Sequence, residues 1–130
     1  MTREARAETT RSPQVLRGMR DFLPQQMLLR QEIVDRFKAV FERFGFEPID
    51  TPLLEYYEVL AGKYGEEGEK LMYHFQDHGG REVGLRYDLT VPLARFVAAH
   101  RHELTFPFKR YHIGPVFRAE RPQRGRYRQF

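Results

Sequence analysis

Phe117-Arg-Ala-Glu-Arg-Pro-Gln-Arg-Gly-Arg-Tyr-Arg-Gln-Phe130 reads as two extended segments joined by a turn. Side chains two apart on a strand share a face, so Arg118 and Glu120 point together while Phe117 and Ala119 point away. The same alternation puts Arg126, Arg128 and Phe130 on one face of the second segment. Arg121 to Gly125, with its Pro and Gly, supplies the connection. Such a hairpin presents guanidinium forks that grip phosphate bidentately, one carboxylate that accepts from an amine, and a ring on which a flat base stacks. A nucleotide site is the expectation.

Charge points to the same end of the chain. The protein has 130 residues, the size of one ordinary domain, and a net charge of +4. Lys109 to Phe130 carries seven Lys/Arg against the single Glu120, a local balance of +6 that leaves −2 for everything before it. A patch of that kind attracts polyanions such as nucleotide or RNA backbone, although a charge run can also be a solvated tail. The interleaved Glu120, Tyr127 and Phe130 favour a site over a tail. Cysteine is absent, which excludes disulfides and thiolate metal sites. No apolar run approaches the roughly 20 residues that cross a bilayer, and the polar start lacks the apolar core of a signal peptide. A soluble, cytoplasmic protein with no membrane partner is expected.

Outward from the hairpin, the chain alternates helix and strand signals. Residues 1–14 are polar and without apolar periodicity, which predicts a disordered lead-in ahead of a folded unit over 15–130. Gln25 to Phe44 places Ile33, Phe37, Val40, Phe41 and Phe44 at three-and-four spacing, with Pro24 at its start and Gly45 after its end. This predicts an amphipathic helix, and spacing alone favours packing of its apolar face on the protein's own sheet. Phe46 to Leu54, with Pro48 and Pro52, reads as an edge strand or interface segment. Leu71–Gln76 and Glu82–Tyr87 flank Asp-His-Gly-Gly-Arg and read as a β-hairpin. Its second strand delivers Arg86 and Asp88 to a helix that Asp88 or Thr90 can cap, with Pro92 in its first turn and Leu93, Phe96 and Val97 on an apolar face. Phe108 to Ile113 reads as a further strand. Together these predict an α+β fold, a mixed and mainly antiparallel sheet flanked by helices.

Three segments resemble one family in the same order along the chain. Phe117-Arg-x-Glu, loop, Arg126-x-x-x-Phe130 resembles motif 2 of the class II aminoacyl-tRNA synthetases, and the loop sequence is close to the histidyl-tRNA synthetase version. Arg17-Gly-Met-Arg-Asp-Phe-Leu-Pro24 resembles that family's N-terminal signature, and Leu85-Arg-Tyr-Asp-Leu-Thr90 its amino-acid-binding segment. The helix, Gly45 and proline-containing strand resemble motif 1, which implies a homodimer formed through the helix and strand of residues 25–54. The resemblance implies a class II catalytic fold, incomplete in this chain, that activates histidine with ATP and Mg²⁺ and transfers it to tRNA(His). It implies that Asp88, Leu89 and Thr90 recognise the α-amino end of histidine. It also implies that Arg118 holds the α-phosphate and the amino-acid carboxylate as they react. Glu120 would face the adenine amino group, Arg126 the outer phosphates and Phe130 the adenine ring. Many bacterial members have Glu-Gly-Thr after Arg-Pro where this chain has Asp88-Leu-Thr after Arg-Tyr; the carboxylate is kept, one methylene shorter.

Each of these residues also has a plainer explanation. Asp88 or Thr90 can simply cap a helix, and Arg118 can pair with Glu120 or Glu103. Gly62-Lys-Tyr-Gly-Glu-Glu-Gly68 only partly imitates a phosphate loop, because Glu66, Glu67 and Glu69 repel anions; a mobile acidic loop is expected. His74 and His78 do not have metal-ligand geometry on a strand and turn, and His100, His102 and His112 read as surface or packing residues. No protein-held metal site is expected. Two other functions share the resemblance or the charge: a synthetase-like regulatory subunit of ATP phosphoribosyltransferase, and a truncated module that binds RNA or a synthetase protomer without catalysis. Lacking motif 3, a later histidine-recognition segment and an anticodon-binding domain, the isolated chain is expected to be marginally folded and inactive.

Overall fold

The computed structural model describes residues 12–130, so the expectation of disorder over 1–14 falls mostly outside the described residues; 12–14 are exposed and without regular structure. Pro24–Arg43 forms the 20-residue helix α1. Pro24 occupies its first turn, where a missing N–H costs nothing, and the Gln26 side chain accepts the Leu23 N–H at 3.1 Å. The chain then runs through β1 (Glu47–Pro48), β2 (Leu54–Tyr56), α2 (Tyr57–Leu60), α3 (Gly65–Lys70), β3 (His74–Gln76), β4 (Glu82–Leu85), α4 (Thr90–His100) and β5 (Arg110–Tyr111).

The strands form two sheets, one antiparallel in the order β2-β4-β3 and one parallel pair, β1-β5. The expected hairpin is present as β3 and β4, with Phe75 opposite Val83. Asp77 Oδ1 closes its turn by accepting from the N–H groups of Gly79 and Arg81, both at 2.9 Å. The expected strand over 46–54 is interrupted. Glu47 and Ile49 donate their N–H groups to Lys109 and Tyr111, each at 3.0 Å, whereas Pro48 falls where the N–H faces away from the partner. A proline is tolerated there because no ladder bond is lost. The chain resumes strand structure only at Leu54, and the expected strand over 108–113 is likewise reduced to β5.

The core is small: Leu60, Met72, Val83, Tyr111, Val116 and Phe117 are its buried apolar residues. Arg86, 1% exposed, crosses it; Nε donates to the Pro115 carbonyl at 2.8 Å and Nη1 to the Thr51 carbonyl at 3.0 Å. It therefore ties the end of β4 to the segment before β2 and to the approach to the terminal hairpin.

Two expectations are corrected. The 62–68 segment is not a loop throughout: α3 starts at Gly65, and Glu66 and Glu67 occupy its first turn, where carboxylates complement the helix dipole. The apolar face of α1 does not pack along the protein's own sheet. Its last turn docks, with Phe41 5.2 Å from the Tyr111 ring and the Tyr111 hydroxyl donating to Glu42 at 2.8 Å, and farther back Arg30 lies 4.6 Å from the Phe22 ring. Leu28, Leu29, Ile33, Phe37, Val40 and Phe44 all remain exposed, and no residue of the helix is buried.

Candidate nucleotide and amino-acid site

The terminal hairpin is held by backbone pairing at its base. Val116 and Phe130 exchange both N–H···O bonds, at 2.8 and 3.1 Å, and Arg118 N–H donates to the Arg128 carbonyl at 2.9 Å. Farther out, Gln123 and Arg126 pair across a tight turn through Arg124 and Gly125. Phe117 N–H donates to the Arg86 carbonyl at 3.0 Å, which fastens the hairpin to the end of β4.

The side chains of Arg118, Glu120, Arg126 and Phe130 line one open cleft of about 490 Å³, together with Arg20, Gly125 and Tyr127. Three guanidinium groups and two aromatic rings therefore face a space with one carboxylate. Arg118 is half-buried and held from three sides: its guanidinium lies 4.1 Å from the Tyr87 ring and 5.2 Å from the Phe130 ring, and Nε donates to the Tyr87 carbonyl at 3.2 Å. It does not pair with Glu120 or Glu103, as the plainer explanation required. Arg20, quoted above only as part of a signature, sits 3.4 Å from the Tyr127 ring centre and joins the cleft wall. Its place depends on a contact between segments about a hundred residues apart, which no local pattern announces.

Arg128 departs from the expected face. Its Nε donates to the Glu120 carbonyl at 3.0 Å and its Nη1 to the Arg17 carbonyl at 3.1 Å, so it does not line the cleft. Strict alternation fails because Arg128 N–H turns to the Gly18 carbonyl, at 2.7 Å, instead of the opposite strand. The adjacent Tyr127 then joins Arg126 and Phe130 on the cleft side. Gly18, at φ +87°, allows this approach: a Cβ there would lie 2.9 Å from the Arg128 stem and 3.0 Å from Pro122.

Asp88 lies beside this cleft, through Tyr87. Its Oδ1 accepts the Thr90 and Val91 N–H groups, both at 3.2 Å, so it caps α4. The same oxygen accepts the Tyr64 hydroxyl at 2.8 Å, and the Tyr64 ring packs 4.6 Å from that of Tyr87. Burial, then the hydrogen bond to Asp88, drives the Tyr64 phenol well above its usual range. Leu89 is half-buried and Thr90 exposed at the helix start. Asp88 and Arg118 are thus both in contact with the Tyr64–Tyr87 aromatic pair.

A larger cleft of about 620 Å³ between β2 and α4 is lined by Asp50, Glu55, Asp77, Arg81 and Arg95. Both of its guanidinium groups are already paired, Arg95 with Glu55 and Arg81 with Asp77 at 2.8 Å each, and Asp50 leaves the balance negative. The smaller cleft has the uncompensated positive charge that an anion requires. His74 stacks on Tyr57 at 3.7 Å, and His100 contacts Glu103 at 2.6 Å. Among the described residues, no three His, Asp or Glu side chains gather as a metal cage.

A histidine–tRNA ligase of Treponema denticola is 58% identical over 118 residues, covering 91% of this chain and 26% of that protein. A histidyl-tRNA synthetase structure from Nostoc sp. superposes with a TM-score of 0.78 at 38% identity, over 90% of this chain and 26% of its own. A Bacillus halodurans protein described as an ATP phosphoribosyltransferase regulatory subunit/histidyl-tRNA synthetase gives a TM-score of 0.72 at 30% identity, over 87% and 29%. The chain spans about a quarter of the length of the curated relatives it matches. The profile described as Histidyl-tRNA synthetase matches residues 18–130, and with the α+β fold and the order of these segments this chain belongs to the histidyl-tRNA synthetase family.

Proposed function

We propose that residues 15–130 are the N-terminal part of a class II catalytic domain that activates histidine with ATP and transfers it to tRNA(His). The observation that carries this reading is the convergence of Arg118, Glu120, Arg126 and Phe130 on one cleft, with Asp88 next to it across Tyr87.

The chemistry asked of these residues is positioning and charge neutralisation. The histidine carboxylate attacks the α-phosphorus, a new C–O–P bond forms, and pyrophosphate leaves with the electrons of the broken P–O bond. Negative charge grows on the phosphoryl oxygens, and the Arg118 fork, immobilised by Tyr87 and Phe130, stabilises it without reorganising. Phe130 stacks on adenine, Glu120 accepts from its amino group, and Arg126 takes the outer phosphates. Asp88 receives the histidine ammonium group, with Leu89 and Thr90 forming that end of the pocket. Mg²⁺ accompanying the polyphosphate would supply charge neutralisation there. Among the described residues Glu120 is the only carboxylate lining the cleft, so these side chains do not by themselves form a protein-held ion site, and no step is routed through one.

The protein acts as a homodimer through residues 25–54, whose exposed apolar helix face supports that assembly. A cytoplasmic location accords with the substrates, and no described helix is long and apolar enough to span a membrane. The regulatory-subunit alternative is disfavoured because a role without aminoacylation does not require the phosphate-binding and adenine-facing set together. The test is histidine-dependent pyrophosphate exchange by the complete enzyme: Arg118→Ala lowers it by about 10²–10³-fold. Exchange at the wild-type rate would overturn the assignment.

A further inference from the structure

The segment Gly62-Lys-Tyr-Gly-Glu-Glu-Gly68 has no part in the nucleotide cleft, yet it is built to present one side chain. Tyr64 immediately precedes α3 and turns back over the start of α4, where its hydroxyl meets Asp88 Oδ1. Gly68 is buried one turn later, and a Cβ there would overlap the Cβ of Tyr64. The Gly62 N–H is bound by the Glu69 carboxylate, which closes the segment on itself. Gly62, Gly68 and Glu69, which made this stretch look like a failed phosphate loop, thus serve to mount a tyrosine.

That tyrosine acts on a single oxygen. Oδ1 of Asp88 takes three donors: the Tyr64 hydroxyl and the Thr90 and Val91 N–H groups. Three donors fix the plane of the carboxylate and leave Oδ2 as the oxygen offered to a ligand. The elevated pKa of the phenol keeps it a donor throughout the neutral range. We propose that Tyr64 is a positioning residue for amino-acid binding, whose hydroxyl orients the Asp88 carboxylate so that Oδ2 meets the ammonium group of the substrate. The inference rests on the reading of Asp88 given under the proposed function.

Tyr64→Phe in the complete synthetase removes the hydroxyl and keeps the ring against Tyr87. The expected result in pyrophosphate exchange is a KM for histidine raised about tenfold, with kcat changed less than about twofold and the KM for ATP unaltered. A purely structural role does not discriminate between ligands, so two inhibitors complete the experiment. Histidinol, which has the ammonium group and no carboxylate, binds more weakly in the same ratio as histidine. 3-(Imidazol-4-yl)propionate, which has the carboxylate and no ammonium group, binds as to the wild type. Gly68→Ala, which displaces Tyr64 without deleting its hydroxyl, reproduces the pattern. An unchanged histidine KM in both variants, or equal losses for both inhibitors, overturns the inference while leaving the activity standing. A wild-type enzyme without histidine-dependent exchange removes the parent reading and this one with it.

Discussion

Tyr87 holds Arg118 twice, once by its ring, 4.1 Å from the guanidinium carbon, and once by its carbonyl, which accepts Nε at 3.2 Å. The carbonyl is present whatever residue stands at 87, so the ring is the part a substitution can remove. Tyr87→Leu is expected to lower kcat for histidine activation about three- to tenfold, the loss of a partly desolvated cation–π contact, and to leave the fold intact. Unaltered kcat in single-turnover measurements would mean that the carbonyl and Phe130 suffice.

Gly18 gives a prediction about assembly of the cleft. Gly18→Ala places a methyl group against the Arg128 stem at a positive φ, so the 17–20 turn and the hairpin must move apart. A destabilisation of about 1–3 kcal/mol is expected in denaturant unfolding, with weakened ATP binding as Arg20 is displaced. Gly18→Ala with wild-type stability and ATP affinity would show that the turn adapts without cost.

His112 makes stability depend on pH. Its side chain is only 1% exposed, Nδ1 has no partner among the described residues, and Nε2 lies 3.2 Å from Asp50 Oδ1. Burial lowers its pKa below the ordinary imidazole value; Asp50 opposes the shift, while Arg86 and Arg110 add to it. With the folded pKa the lower of the two, the unfolded chain takes up the proton first on acidification. The contribution is present above about pH 6.5 and is lost as pH falls through the folded pKa, with a slope of at most about 1.4 kcal/mol per pH unit. Urea unfolding of His112→Gln between pH 7.5 and 5 should show a shallower slope than the wild type; identical slopes would assign the dependence elsewhere.

The uncovered face of α1 predicts self-association. Ile33→Glu and Phe37→Glu place charge where the proposed dimer buries apolar surface, and sedimentation should show a shift from dimer to monomer. A dimer that survives both substitutions would move the interface to another surface.

The parts of this fold that were legible in the sequence are those fixed by neighbours. Three-and-four spacing gave α1 within a residue or two, and the Asp77 to Arg81 turn gave the β3–β4 hairpin. Pairing of β1 with β5 joins residues more than sixty positions apart and leaves no local trace. The short helix α3 was hidden by glycines with low helix propensity, although Glu66 and Glu67 at its start were a readable signal. That Arg118, Glu120, Arg126 and Phe130 share one cleft was legible because strand alternation gathers them; the places of Arg20 against Tyr127 and of Tyr64 against Asp88 were not, because each depends on a tertiary contact.

The bond from Arg128 to the Arg17 carbonyl spans 111 positions. Closing a flexible loop of that length costs roughly 4 kcal/mol of chain entropy, so this contact is unfavourable until the intervening helices and sheets have shortened the distance. The cleft lined by Arg20 and the hairpin is then a late product of folding, formed when the two distant segments dock. The proposed binding of ATP there would follow completion of the tertiary structure, not the appearance of helices and strands.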